Sequence, residues 1–292
     1  MSTVLAENRG ASIVPGVSPD IYCQGDFDRI ASLIGREAGI VLSDGKRMLA
    51  YSRISPLLRQ NRCSTFAEYL DLAETDPALL AKTVGALTTN HTYFNREPHH
   101  FEHFCQNLRP HLVQRLNAGD AVRIWSAGSS SGEEIWTWLS FFLGEDRAEG
   151  KRIASRDLIA LASDLAAHAI EAGQAATYSS KALEPMPQAL RENWTRAVGD
   201  NRVVIDEVRQ LVRFRQLNLL GGWPMKSPFD VIFCRNVMIY FDNATKERLV
   251  ERFARQLRPG GYLYIGHSER VSGPASSLLE PCGPTVYRRV GA

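Results

Sequence analysis

Apolar residues recur every three or four positions between Phe27 and about Leu87: Phe27, Ile30 and Ile34, then Met48, Tyr51, Ile54 and Leu58, then Phe66, Tyr69 and Leu70. That spacing gathers each set on one helix face and predicts a small all-helical domain over about 26–90. Within it, Asp76-Pro77 reads as a helix start, with proline at the first helical position. Residues 1–25 mix Ser, Pro and Gly with isolated Val and Ile in no period, and read as a flexible leader.

A further helical stretch is expected from Phe101 to Leu116, and then the pattern changes. The turn Asn117-Ala118-Gly119-Asp120 leads into a short apolar strand, Val122 to Trp125, that ends at Ser126-Ala127-Gly128. Helices at about Gly132–Leu143 and Ala166–Ala172 alternate with strands at Leu158–Ala162, Leu211–Leu217, Val231–Cys234 and Tyr262–Ile265, the last two separated by a helix from Ala244 to Leu257. Such alternation indicates an α/β fold, a doubly wound parallel sheet with helices on both faces, over 91–292. Between about 174 and 210 the alternation fails, and Glu184-Pro185-Met186-Pro187 with a Val203-Val204-Ile205 strand signal predicts an inserted small antiparallel subdomain.

Composition narrows the class. With 292 residues, 44% hydrophobic and 23% charged, the chain is an ordinary globular protein, not a disordered or fibrous one. A net charge of +2 does not fit a dedicated nucleic-acid binder. Locally, however, residues 45–65 carry Lys46, Arg47, Arg53, Arg59 and Arg62 and no acid, so that stretch is either a solvated helix face or a basic surface for an acidic partner. Five scattered cysteines without CxxC spacing indicate reduced thiols, and no apolar run or signal pattern is seen, so a cytoplasmic location is expected.

The candidate chemistry sits where strands hand over to helices. Trp125-Ser126-Ala127-Gly128-Ser129-Ser130-Ser131-Gly132-Glu133-Glu134 follows the first strand, at the crevice where open α/β sheets bind ligands. Small residues admit a ligand close to the backbone, and two carboxylates in the first helical turn suit a cation better than a pyrophosphate. Asp164 ends the second strand, either as a ribose-binding acid or as the N-cap of the next helix. Later, the apolar strand Phe229–Cys234 runs into Arg235 and Asn236 at the same crevice.

Taken in order, five blocks make the chain resemble the CheR family of chemotaxis receptor methyltransferases over about 27–290: Thr88 to Glu97, Trp125 to Glu134, Arg213 to Leu220, Phe233 to Phe241, and Gly266-His267-Ser268-Glu269. The resemblance implies a Rossmann-like methyltransferase sheet that binds S-adenosyl-L-methionine and releases S-adenosyl-L-homocysteine. It implies a protein-glutamate O-methyltransferase that esterifies the cytoplasmic domain of methyl-accepting chemotaxis receptors, meeting the membrane only through them. By the same resemblance Asn90, Thr92 and Arg96 line the cofactor pocket, and Arg96 with Tyr240 flanks the transferred methyl. Ala127 and Glu133 would contact the methionine part, Asp164 the ribose, and Asn218 and Leu219 the adenine edge, with Arg235 and Asn236 closing the pocket. The insertion resembles the family's receptor-docking subdomain, and the basic stretch 45–65 becomes a candidate receptor contact. Where the family's first motif often continues Pro-Tyr after the paired acids, this chain has Ile135-Trp136.

Two other readings remain beside it: a methyltransferase acting on RNA or a small molecule, since the cofactor half alone does not choose the acceptor, and a cofactor-sensing adaptor without turnover. His99, His100 and His103 include an i, i+4 pair, but no third ligand is evident and the family it resembles uses no metal, so none is expected. Cys234, inside an apolar strand, reads as a small buried hydrophobe.

Overall fold

The computed structural model of the chain describes residues 12–291. They fall into two units, one running up to Thr89 and taking in Tyr240–Asp242, the other comprising the chain from Asn90 to Ile239 and from Asn243 onward.

The first unit is built from α1 (Gln24–Ala38), α2 (Arg47–Gln60), α3 (Phe66–Thr75) and α4 (Pro77–Leu87). Its helix starts follow local side-chain chemistry. Thr65 and Glu68 exchange hydrogen bonds in a capping box that opens α3, and Asp76 accepts the amides of Ala78 and Leu79 behind Pro77. Phe27, Ile30, Ile34, Ile54, Tyr69 and Leu70 are buried. Met48 is not: α2 buries the stripe Ala50, Ile54, Leu58, and at about 100° per residue Met48 points about 120° away from its centre. Residues 1–11 of the expected leader lie outside the described residues; of the rest, Val14 and Tyr22 are buried. Tyr22 is wholly buried against Tyr51 and Phe66, with ring centroids 5.6 and 4.4 Å away. Of the basic stretch, only 47–60 is α-helical and two of its arginines turn inward. Arg47 pairs with Asp44 at 2.9 Å, and Arg53 donates to the carbonyls of Ala86 and Thr88 at the end of α4. Lys46, Arg59 and Arg62 stay exposed.

The second unit begins with α5 (His99–Asn107) and α6 (Arg109–Asn117). The sequence pattern reads as one helix here, but Pro110 cannot donate a backbone hydrogen bond and the helix restarts after Leu108. The strands are β1 (Val122–Ala127), β2 (Leu158–Asp164), β3 (Thr177–Ser179), β4 (Thr195–Val198), β5 (Asn201–Val204), β6 (Val212–Gln216), β7 (Phe229–Cys234), β8 (Leu257–Ile265), β9 (Leu279–Gly283) and β10 (Val286–Arg289). The main helices among them are α7 (Glu133–Leu143), α8 (Arg147–Ala154), α9 (Ala167–Ala175), α10 (Gln188–Trp194), α11 (Asp206–Arg209) and α12 (Asn243–Gln256).

The main sheet has the order β6-β2-β1-β7-β8-β10-β9. Its first five strands run parallel, while β10 pairs antiparallel with both β8 and β9. From β1 the chain steps outward to β2 and β6, then returns to place β7 on the other side of β1. The order therefore reverses between β1 and β7, which opens a crevice at their carboxyl ends. The insertion forms a separate antiparallel sheet, β3-β5-β4. It is anchored by Trp194, fully buried, whose Nε1 donates to the carbonyl of Gly144 at 2.9 Å. A side chain at Gly150 would stand 2.4 Å from that indole, so α8 comes close enough to seat it only because it carries a glycine there.

Candidate active site

The loop after β1 is shaped by backbone chemistry. Gly128 has φ +81, and a Cβ there would meet Val237 Cγ2 at 2.4 Å, so only glycine fits. The amides of Gly128 and Ser129 both donate to the carbonyl of Ser163 at 2.8 and 2.9 Å. Asp164, next in sequence and buried, accepts the amides of Ser130 at 2.8 Å and Ala166 at 2.9 Å, and Asn90 Nδ2 at 3.4 Å. Ser130 Oγ returns a bond to the carbonyl of Asn90 at 3.1 Å. One carboxylate thus joins the segment before α5, the β1 loop and the end of β2. It is not the cap of α9, whose N-cap position is Ala166.

A buried charge network lies beside this lock. Arg235, just beyond β7, pairs with Glu134 at 3.3 Å and Glu97 at 3.4 Å, donates to the carbonyl of Arg96, and stands 5.6 Å over the Phe101 ring. Burial pushes the Glu134 carboxyl up, with Arg235 and the Ser126 hydroxyl at 2.6 Å drawing it back. Burial acts on Glu97 too, but Arg235 and the amide and ring of His267 outweigh it and hold its carboxyl below the usual range. Burial, reinforced by Arg235, brings His100 down to about 3, so its ring is uncharged. Glu133 differs from its neighbour. Burial raises its carboxyl, Ser131 Oγ at 2.7 Å offsets part of that, and no cation pairs with it among the described residues.

The far wall is the turn after Arg235. Asn236 sits at φ 58, and the Glu269 carboxylate accepts three amides there, from Gly266 at 2.6 Å, Met238 at 2.8 Å and Asn236 at 3.2 Å. Thr92, Arg96, Ser129, Glu134, Arg235 and Asn236 all line the resulting cleft. Arg96 donates to the carbonyl of His91 at 2.9 Å and stands 5.6 Å over the Tyr93 ring. Ser129 Oγ and Asn236 Oδ1 are buried without hydrogen-bond partners. Unpaired polar atoms, an unmatched carboxylate at Glu133 and a glycine cradle together fit a ligand that carries amine and hydroxyl groups, as S-adenosylmethionine does.

The structure thus brings Thr92, Arg96, Arg235 and Asn236 around one cleft and ties Asn90 to Asp164. Ala127 is the buried last residue of β1. Asn218 and Leu219 form a separate turn beyond β6, where the Leu219 carbonyl accepts from Trp223 Nε1 at 3.0 Å and Arg252 at 2.8 Å. Tyr240 groups with the helical unit, its carbonyl accepting the Val41 amide at 2.9 Å. Two acids not singled out from sequence, Glu97 and Glu269, organise the pocket together with Glu134; the available signal was that each closes one of the quoted blocks. The His99 and His103 pair does not converge, because His103 Nδ1 bonds the Tyr264 hydroxyl at 2.9 Å. Cys234 is fully buried, which pushes its thiol well up.

Comparison with known proteins agrees with this geometry. Residues 90–287 match the SAM binding domain of the CheR methyltransferases, and residues 25–88 match their all-alpha domain. A probable chemotaxis protein methyltransferase of Rhizobium etli is 41% identical over 266 residues, 88% of this chain and 96% of its own. Chemotaxis protein methyltransferase 2 of Pseudomonas aeruginosa is 39% identical over 273 residues, 91% of this chain and 93% of its own. The chemotaxis protein methyltransferase of Escherichia coli is 36% identical over 256 residues, 84% of each chain.

Proposed function

Because the chain belongs to the CheR family, the S-adenosylmethionine-dependent methyltransferases of chemotaxis, we propose that it forms γ-methyl esters on glutamates in the cytoplasmic domain of chemoreceptors. The observation that supports this acceptor is Arg96. It lines the cleft that holds the unpaired Ser129 and Asn236 atoms, and among the described residues its guanidinium hydrogen-bonds the His91 carbonyl and stands over the Tyr93 ring, which leaves N–H groups for a carboxylate.

When bound, the cofactor supplies a methyl group carried on a sulfonium. In this reading Ala127 and Glu133 hold its methionine part, Asp164 its ribose, and Asn218 and Leu219 its adenine edge, while Asn90, Thr92, Arg235 and Asn236 close the pocket. A substrate glutamate, with a reference pKa of about 4.3, is already ionised at neutral pH, so no general base is required of the protein. The chain's own contribution is alignment and exclusion of water. Arg96 orients the incoming carboxylate, and Tyr240 offers a hydroxyl near the methyl. Arg96 works best as a positioner, since a tight pair would stabilise the nucleophile before reaction.

The reading also places the protein in the cytoplasm, at the membrane only through its receptor. None of the described helices is long and apolar enough to cross a bilayer. Exposed Lys46, Arg59 and Arg62 form the proposed contact with an acidic receptor surface, and the β3-β5-β4 insertion the proposed docking element. Tritiated S-adenosylmethionine supplied with receptor-bearing membranes should leave base-labile label on receptor glutamates. Label on RNA instead, or cofactor binding with no transfer, refutes the assignment.

A further inference from the structure

Glu97, His99 and His100 place ligand-type atoms within 4.8 Å of one another where α5 begins. One of these atoms is mismatched as it stands. His100 is fully buried and its Nε2 bonds Thr285 Oγ1 at 2.8 Å, yet its Nδ1 has no hydrogen-bond partner and lies 3.4 Å from Glu97 Oε2. A buried ring nitrogen facing a carboxylate oxygen with no hydrogen bond between them costs about 1–3 kcal/mol. A tetrahedral zinc ion, with bonds of about 2.0–2.2 Å to nitrogen and oxygen, has edges of about 3.3–3.5 Å between its ligands. The gap between Nδ1 and Oε2 has the length of one such edge.

The surroundings match a metal centre in three further respects. His99 adds a second imidazole, its ring 4.2 Å from that of His100, and the methyl-transfer reading gives it no task. Outer partners are in place: Thr285 holds the far nitrogen of His100, and the amide and ring of His267 hold the other oxygen of Glu97. An open pocket of about 340 Å³, lined by His99, His267, Arg270, Pro284, Thr285 and Tyr287, reaches the cluster at His99. Arg235 lies 3.4 Å from the same Glu97 oxygen, and its charge keeps the affinity below that of a structural zinc site.

We propose that Glu97, His99 and His100 form a site for one zinc-like divalent ion, reached through the His267 and Arg270 pocket and completed by water. The test uses the full-length protein stripped with a chelator, then titrated with zinc against a fluorescent indicator and with cobalt by visible absorption. One equivalent of each should bind, and the cobalt spectrum should show a tetrahedral field without a thiolate charge-transfer band. Variants of buried Glu97 or His100 risk misfolding, so His99→Ala carries the test and should weaken zinc binding by at least about ten-fold. His111→Ala, which removes an exposed histidine on α6, should leave binding unchanged. The proposal is overturned if the parent chain takes up no zinc, if cobalt reports thiolate ligands, if His99→Ala binds as tightly as the parent, or if His111→Ala loses the ion.

Discussion

Glu133 and Glu134 are adjacent in sequence and meet opposite surroundings: one is matched by Arg235, the other by no cation among the described residues. A carboxyl whose folded-state pKa is raised by burial weakens the fold as pH climbs from its unfolded value through its folded one, because there the folded state binds more protons. Glu133→Gln should therefore gain stability over the parent as pH rises from about 4 to 7, while losing affinity for S-adenosylhomocysteine. Urea midpoints at the two pH values check the first half, and an equal gap at both would sink it. Arg96→Ala should lower turnover by about a hundred-fold, as expected when a positioning contact is lost, with little change in S-adenosylhomocysteine affinity. Asp164→Ala should do the reverse, since its carboxylate holds Ser130, Ala166 and Asn90 in place; isothermal titration of both variants separates the two roles. At this scale the strand-end residues were legible because small residues and lone charges stand out after apolar runs. The ion pairs were not: Arg235 lies 101 positions from Glu134 and 138 from Glu97, and only the folded sheet brings them together.

At the scale of elements, the turn after β7 depends on a side chain from beyond β8. Glu269 answers three amides that would otherwise be buried and unpaired. Glu269→Ala should cost about 2–4 kcal/mol in chemical denaturation, and Glu269→Gln, which keeps one acceptor oxygen, distinctly less. Comparable losses in the two variants would argue against this role. Parallel strands such as β1 and β7 were readable as continuous apolar runs, because both of their faces are covered. The closing pair β9 and β10 was not. Leu279–Gly283 contains Pro281 and Gly283, residues that punctuate loops, and the strand exists because it pairs with β10 at the sheet's edge. Likewise β8 begins at Leu257, well before the apolar run that starts at Tyr262, absorbing Arg258–Gly261 as an irregularity against β7.

Across the whole molecule, the helical periodicity near the N-terminus and the strand–helix alternation after it conveyed two architectures without any long-range information. What local pattern did not convey was which charges of the basic stretch face solvent, since Arg47 and Arg53 are spent on Asp44 and on the end of α4. Reversing only the exposed set, with Lys46→Glu, Arg59→Glu and Arg62→Glu together, should raise KM for receptor about ten-fold at low salt and much less at high salt. S-adenosylhomocysteine affinity should not move, and a salt-independent defect would refute a docking role. The insertion leaves and rejoins the parent chain at neighbouring points, since Thr177 pairs with Val203 and the Val204 amide returns to the carbonyl of Ala176. It has the topology of a cassette, and by topology alone recombination between relatives needs only two crossovers. The indole of Trp194, however, is lodged in a socket made by Gly144 and Gly150, far upstream of it and outside the insertion. A chimera that imports the cassette without its matching glycines would lose the wedge that fixes it, so the insertion is inherited together with a patch of α8 that lies outside it.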